Sequence, residues 1–403
     1  MSEESKRTAS RLPALGRVPW VVALVCGWVA LSLIAAPDAP VRVMEQPLPL
    51  IVTGFKYTGN ASCGGSGCHG ADKATVQSGQ NIGDELNVWT EKDPHSTAWK
   101  TLTNPESAKI ASALKLPSAA ESSDRCISCH ATNVPMGQRG EKFAKLLKDE
   151  AVSCESCHGP GEKWLSPHAK AGWTAGQRSK LGPQGLFDQF ALIDTHNLMV
   201  RANRCVSCHL QIDKDLLDAG HPALEFELYA YNYYVSKKAG KEYAPHWDDV
   251  KKKGVDALLW YAGQSAGLTA ARSQAAAWKA KGQPTQNADA LVSLYEKGQA
   301  IAQKNFGADA IKAFPGLTLT PASIVTAAGE LAKLSGEATI TSDASKRRTI
   351  VSGVTALGSA WFDVQSKEGP DAFWQAYDAA LKSVDKGGPE YVAAVTGLVA
   401  QIK

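Results

Sequence analysis

Beyond His246 the chain contains no Cys, no His and no Met. That final stretch therefore offers neither a thiol for covalent attachment nor a usual metal ligand. The chain holds only four Met in all. It carries no large excess of either charge: 43 basic residues stand against 40 acidic ones, a formal net charge of +3. Such a balance argues against a nucleic-acid partner. No phosphate-binding glycine loop and no nucleophile triad can be found in it. Residues 18–37 contain no charged residue at all.

That uncharged run, VPWVVALVCGWVALSLIAAP, follows a basic start with Lys6, Arg7, Arg11 and Arg17. Twenty helical residues just span a bilayer. The basic residues ahead of it place the N-terminus inside and the rest outside. Pro37 and Pro40 disfavour cleavage near Ala35 and Ala36, so a retained N-terminal membrane helix is expected, with a cleaved signal as the alternative. Cys26 reads as an apolar residue within this run. The expected location is the periplasmic side of a bacterial inner membrane.

What remains is concentrated between Cys63 and Cys208, where eight of the nine Cys fall in pairs. Three follow one pattern: Cys126-Ile-Ser-Cys129-His130, Cys154-Glu-Ser-Cys157-His158 and Cys205-Val-Ser-Cys208-His209. Two thiols separated by two residues reach the two vinyl groups of a haem, and the adjacent His becomes the proximal iron ligand. Zinc ribbons and disulfides also use Cys pairs, but neither requires a His after each pair. The first pair, Cys63-Gly-Gly-Ser-Gly-Cys68-His69, is wider by two residues. Its glycines allow the extra length to bulge. A local Cys63–Cys68 disulfide is its alternative reading. The expectation is four haem c groups, attached through Cys63, Cys68, Cys126, Cys129, Cys154, Cys157, Cys205 and Cys208. Their proximal ligands are His69, His130, His158 and His209. Each ferric haem with two ionised propionates adds one negative charge, so the loaded chain comes to about −1.

Five His remain for at most four distal positions: His95, His168, His196, His221 and His246. His95 follows Pro94 at a helix start. His221 is constrained by Gly220 and Pro222, and a helix-like stretch from Leu224 to Val235 follows. His168 ends Glu162-Lys163-Trp164-Leu165-Ser166-Pro167-His168. His196 lies shortly before Cys205, and His246 lies in Pro245-His246-Trp247. Met136 and Met199 are the only Met in this region, and the spare His make a Met ligand unnecessary.

The block from Cys63 to Trp247 resembles the bacterial tetrahaem cytochromes of the c-554 type. The likeness rests on Val88-Trp89-Thr90-Glu91-Lys92-Asp93-Pro94-His95, Cys154-Glu155-Ser156-Cys157-His158-Gly159-Pro160, Arg204-Cys205-Val206-Ser207-Cys208-His209 and Gly220-His221-Pro222. The resemblance implies a mainly helical fold around closely packed haem pairs. It implies mostly bis-His ligation, sometimes with one five-coordinate haem, and electron transfer rather than substrate turnover. In relatives a further His is expected shortly before Gly-His-Pro, near Lys214. Either His196 replaces it or one haem lacks a distal ligand.

The expected fold class is mainly α: a multihaem cytochrome c domain with a haem-filled core, then a C-terminal helical bundle, with an N-terminal membrane helix. The expected divisions are 1–37 for the tail and membrane segment, 38–62 for a proline-rich linker, 63–250 for the tetrahaem domain, and 251–403 for an Ala-rich helical domain. Trp89, Trp99, Trp164 and Trp173 are candidates for haem packing or ordinary core. Apolar periodicity predicts helices at about 254–280, 286–305, 321–335, 343–367, 371–385 and 389–402. Lys346-Arg347-Arg348 reads as a solvated helix face. The expected function is an electron relay between redox proteins: a quinol-oxidising complex or periplasmic dehydrogenase on one side, a terminal reductase on the other. Two alternatives are a redox enzyme acting on a small nitrogen or sulfur compound at a five-coordinate haem, and a haem-bearing subunit of a larger complex.

Overall fold

The C-terminal apolar spacing becomes six long helices in a computed structural model, which describes residues 41–71, 75–77, 80–234, 246, 252–314 and 316–402. Residues 1–40, with the apolar run 18–37 and Cys26, lie outside the described residues. Among the described residues no helix is long and apolar enough to cross a membrane.

The chain is mainly helical. A short antiparallel hairpin, β1 (Thr75–Gln77) and β2 (Gln80–Ile82), pairs Thr75 with Ile82. The helices of the motif region include α1 (Glu85–Lys92), α2 (Pro105–Ala113), α3 (Asp124–His130), α4 (Cys154–His158), α5 (Trp173–Phe190), α6 (Leu198–His209) and α7 (Leu228–Tyr234). The helix expected from Leu224 therefore starts later. Glu227 sets the start: its carboxylate accepts from the backbone N–H of Tyr229 and Ala230, as an N-terminal cap does.

The C-terminal helices are α8 (Val255–Ala280), α9 (Gln286–Phe306), α10 (Pro321–Lys333), α11 (Ala344–Val364), α12 (Asp371–Ser383) and α13 (Gly388–Val399). Their ends fall within a few residues of the positions predicted from periodicity and caps. Thr320 and Asp343 cap α10 and α11 by accepting from Ser323 N and Lys346 N. Helix α8 is buried over most of its first half, which marks the centre of a bundle. It packs against α9, α11 and also α6, the helix that ends in His209.

One large apolar core results. It runs from Leu198, Ala202 and Val206 of α6 through Trp260, Tyr295 and Leu357 to Ile402. Full burial of such side chains contributes about 1.5–3 kcal/mol each. Upstream, among the described residues, small separate apolar clusters join Leu102 with Ile127, Tyr57 with Phe143, and Trp164 with Leu186. Residues Arg42 to Lys403 form a single compact unit.

Two expectations change. The segment predicted as an extended linker makes turns at 43–45 and 53–54, and from residue 42 onward it is strapped onto α6. Leu48 N donates to Asn203 O, Arg204 donates to Pro49 O and Leu50 O, and Ser207 donates to Leu48 O. Its prolines cannot donate, so side chains of α6 satisfy its carbonyls. The basic run on α11 is not a solvated face. Lys346 is only 2% exposed and pairs with Asp343. Arg347 donates to Thr341 O and Val384 O, and Arg348 pairs with Glu225. These cations fasten α11 to its neighbours.

Candidate metal centres

A helical turn brings residues three apart to one face. The three strict motifs use this: each lies on a helix whose last residue is its His, in α3, α4 and α6. The wide first motif cannot, and it forms turns instead. His69 N donates to Cys63 O, and Cys68 N donates to Gly65 O. The bulge is pressed against α1: a Cβ on Gly64 would lie 2.4 Å from the Leu86 side chain. None of the eight motif Cys forms a disulfide, so the local Cys63–Cys68 bridge is absent. Zinc needs four converging ligands; among the described residues no cluster of three or more His, Cys, Asp or Glu suits a metal ion.

The motifs meet one another. The Cys63 and Cys154 thiols are hydrogen-bond neighbours, as are those of Cys129 and Cys208. Cys157 is a charge neighbour of Cys205. The motif His therefore follow the spatial order His69, His158, His209, His130, which differs from the order in sequence.

Buried acids make this possible. Glu155, the second residue of its motif, is 1% exposed. It accepts from Thr58 N at 2.8 Å, Gly59 N at 2.7 Å and Gly161 N at 2.5 Å. Burial still pushes its carboxyl above the ordinary value. Glu150, also buried, accepts from Asn60 N and Ala144 N. Together they tie the entry to the first motif onto the third. Gly159, at φ +78°, lets residues 191–195 cross directly behind α4, where a Cβ would lie 2.1 Å from Ala191 O. That crossing brings Thr195 to His158.

The distal candidates separate clearly. His168 stacks parallel to His69 with ring centroids 6.2 Å apart. His95 faces His209 at 5.8 Å, and His246 faces His158 at 6.0 Å. Two metal–imidazole bonds of about 2 Å, plus half of each ring, place two centroids about 6 Å apart. His221 is a charge neighbour of His130, but among the described residues no ring contact joins those two. His196 is half-buried, shortly before α6. Lys214, where relatives were expected to have His, pairs instead with Asp218.

The ring nitrogens show a common arrangement. His69 Nδ1 donates to Glu85 Oε2 and His95 Nδ1 to Asp93 Oδ1, each at 2.9 Å. His130 Nδ1 meets Ala98 O and Thr101 Oγ1, both at 3.0 Å. His168 Nδ1 donates to Leu165 O, His221 Nδ1 to Pro222 O, and His158 Nδ1 lies 3.5 Å from Thr195 Oγ1. A carbonyl or carboxylate can only accept, so at His69, His95, His130, His168 and His221 Nδ1 carries the proton and Nε2 keeps its lone pair for a metal. Burial, helped by His246, holds His158 down to about 3, and burial with His95 holds His209 down to about 4. Both stay neutral, the form that binds a metal. His69 is raised, chiefly by its bond to Glu85. Nearby, Trp164 packs edge-on against His168, and its buried indole N–H meets no protein acceptor. Tyr231 of α7 lies against His209, with centroids 4.6 Å apart.

Thiol pairs, free Nε2 atoms, opposed rings and an unanswered N–H beside one of them all fit bis-His haem c. Glu85, Glu150, Glu155 and Thr195 escaped the sequence reading. Asp93-Pro94, a turn-forming pair directly before His95, was the one signal that could have found Asp93.

Residues 62–159 match the family described as cytochrome c554 and c-prime. Cytochrome c-554 of Nitrosomonas europaea is 26% identical over 196 residues, which cover 48% of this chain and 70% of that protein. No solved structure matches the chain. The family match covers the first three motifs and ends before Cys205, and together the two matches support a likeness of this chain to the c-type cytochromes of the cytochrome c-554 family.

Proposed function

We propose that this chain is a tetrahaem electron carrier, acting on the outer side of a bacterial cytoplasmic membrane and anchored by residues 18–37. The observation that carries the reading is the set of three opposed imidazole pairs, His69/His168, His95/His209 and His158/His246, each with centroids near 6 Å. When bound, haem supplies reversible one-electron exchange at its iron. The eight motif Cys would hold it covalently. His69, His130, His158 and His209 would be its proximal iron ligands, and His168, His246 and His95 would serve as second ligands for three of the four. Two protein ligands at one iron would leave no place for a substrate, so these three centres suit transfer rather than turnover.

The close approach of Cys63 to Cys154, Cys157 to Cys205 and Cys208 to Cys129 supports one continuous series of centres. The scarcity of apolar side-chain core before residue 192 suits a region filled by the cofactors. The C-terminal bundle anchors the third centre of that series, since α6, which ends in His209, shares a core with α8. Proposed partners are a quinol-oxidising complex or periplasmic dehydrogenase as donor and a terminal reductase as acceptor.

His130 favours a second reading at one centre. Among the described residues it makes no ring contact of the kind that the other motif His make. A haem held there with an open face suits redox chemistry on a small nitrogen or sulfur compound. Electron paramagnetic resonance of the oxidised protein separates the readings. Four low-spin haems support the carrier alone, while one high-spin haem that responds to nitric oxide supports the second. His95→Ala, His168→Ala and His246→Ala should each convert one haem to high spin. No spectral change in all three would refute the pairing.

A further inference from the structure

Six imidazoles have their Nδ1 partners named above, and two of the six differ from the rest in facing a charged group. Carbonyl or hydroxyl oxygens face His130, His158, His168 and His221. Carboxylates face His69 and His95. Both carboxylates belong to one element. Glu85 is the first residue of α1, and Asp93 directly follows its last. Eight helical residues extend about 12 Å, so a single short helix presents an acid at each end to a different pair of rings.

Neither contact is a loose surface pairing. Glu85 Oε2 also accepts from Gly83 N at 2.8 Å, and Leu86 N donates to His69 O at 2.9 Å. The acid and its imidazole are thus joined by backbone as well as side chain. Asp93 Oδ1 also accepts from His95 N at 3.0 Å and caps the turn Pro94–Thr97, while Asp93 N donates to Val88 O and Trp89 O. The carboxylate positions are fixed before any ligand orients the rings.

We propose that α1 is a potential-setting strut: Glu85 acts on the haem ligated by His69 and His168, and Asp93 acts on the one ligated by His95 and His209. This rests on the haem reading given above. An anion accepting the Nδ1 proton makes the imidazole a stronger donor. A stronger donor with a nearby negative charge favours the iron state carrying the extra positive charge, the ferric one. Both haems are therefore held at lower potential than a neutral partner would give, while the centre at His130, facing Ala98 O and Thr101, is not. In the spatial order of the motifs, the two tuned centres are the first and the third.

The test uses full-length loaded protein with Glu85→Gln and Asp93→Asn, which keep a hydrogen-bond acceptor and remove the charge. Each variant should favour reduction of one haem by about tenfold, about 59 mV for one electron. The two variants should move different haems, each with a shift in that haem's low-spin resonance signal. Glu85→Asp should return the potential toward the parent value. Unchanged midpoints in both variants would overturn the proposal. So would loss of the low-spin signal in place of a shift, which would assign the acids to holding the rings alone. Pyridine haemochrome analysis of the parent is independent: fewer than four haems per chain would count against the haem reading itself.

Discussion

Replacing Glu227 by Gln should remove a pH dependence of stability that the fold builds in. Glu227 is 3% exposed. Its two oxygens accept from Tyr229 N at 3.1 Å and Ala230 N at 2.8 Å, at the start of the helix whose Tyr231 packs on His209. Burial pushes its carboxyl from the ordinary 4.5 up to about 7; the two backbone N–H groups oppose the rise, and Asp256 adds to it. Between those values the folded chain keeps a proton that the unfolded chain has released. Stability therefore falls as pH rises through this window, by at most about 1.4 kcal/mol per pH unit. Across the window the loss comes to about 3 kcal/mol. It is absent below pH 4.5 and complete above pH 7. Guanidinium unfolding followed by far-ultraviolet circular dichroism, at intervals from pH 4.5 to 8, measures it. Gln resembles the protonated acid, including its single remaining acceptor, so any constant offset cancels when slopes are compared. The stability difference between parent and Glu227→Gln should move by about 3 kcal/mol in favour of the variant as pH rises. Parallel curves would refute the placement of this acid.

Glu155→Ala leaves the backbone N–H groups of Thr58, Gly59 and Gly161 without their acceptor. At about 1–3 kcal/mol for each stranded group, the segment entering the first motif should detach, and haem content measured by pyridine haemochrome should drop by one. Asp343→Ala removes the partner of a lysine that is 2% exposed, together with the cap of α11. It should cost about 3–5 kcal/mol in denaturant unfolding, whereas Lys346→Met, which removes the buried charge itself, should cost less.

The C-terminal helices were legible because each obeys local rules: Pro321 after a Thr cap, glycine after α9, and apolar residues such as Ile350, Val354, Leu357 and Trp361 on one face. The exceptions arose where a distant group intervened. The basic run on α11 looked solvated because Asp343, Thr341, Val384 and Glu225 become its partners only in the folded chain. The proline-rich entry looked like a free linker because the donors for its carbonyls, Arg204 and Ser207, lie on α6, far along the sequence.

The same division runs through the centres. Attachment is local chemistry: two thiols and a His within one helical turn mark where a haem would join the chain, and the sequence alone pointed to such sites at His130, His158 and His209, and through a glycine bulge at His69. Pairing is not local. In one dimension His95, His168 and His221 come forward on their local context, ahead of His196 and His246. Only the tertiary structure set His95, His168 and His246 opposite His209, His69 and His158 and brought the carboxylates at the two ends of α1 against two of the six rings. An axial ligand is selected by a separation of a few ångströms through space, and that separation depends on how the buried acids and helix packing bring distant segments together.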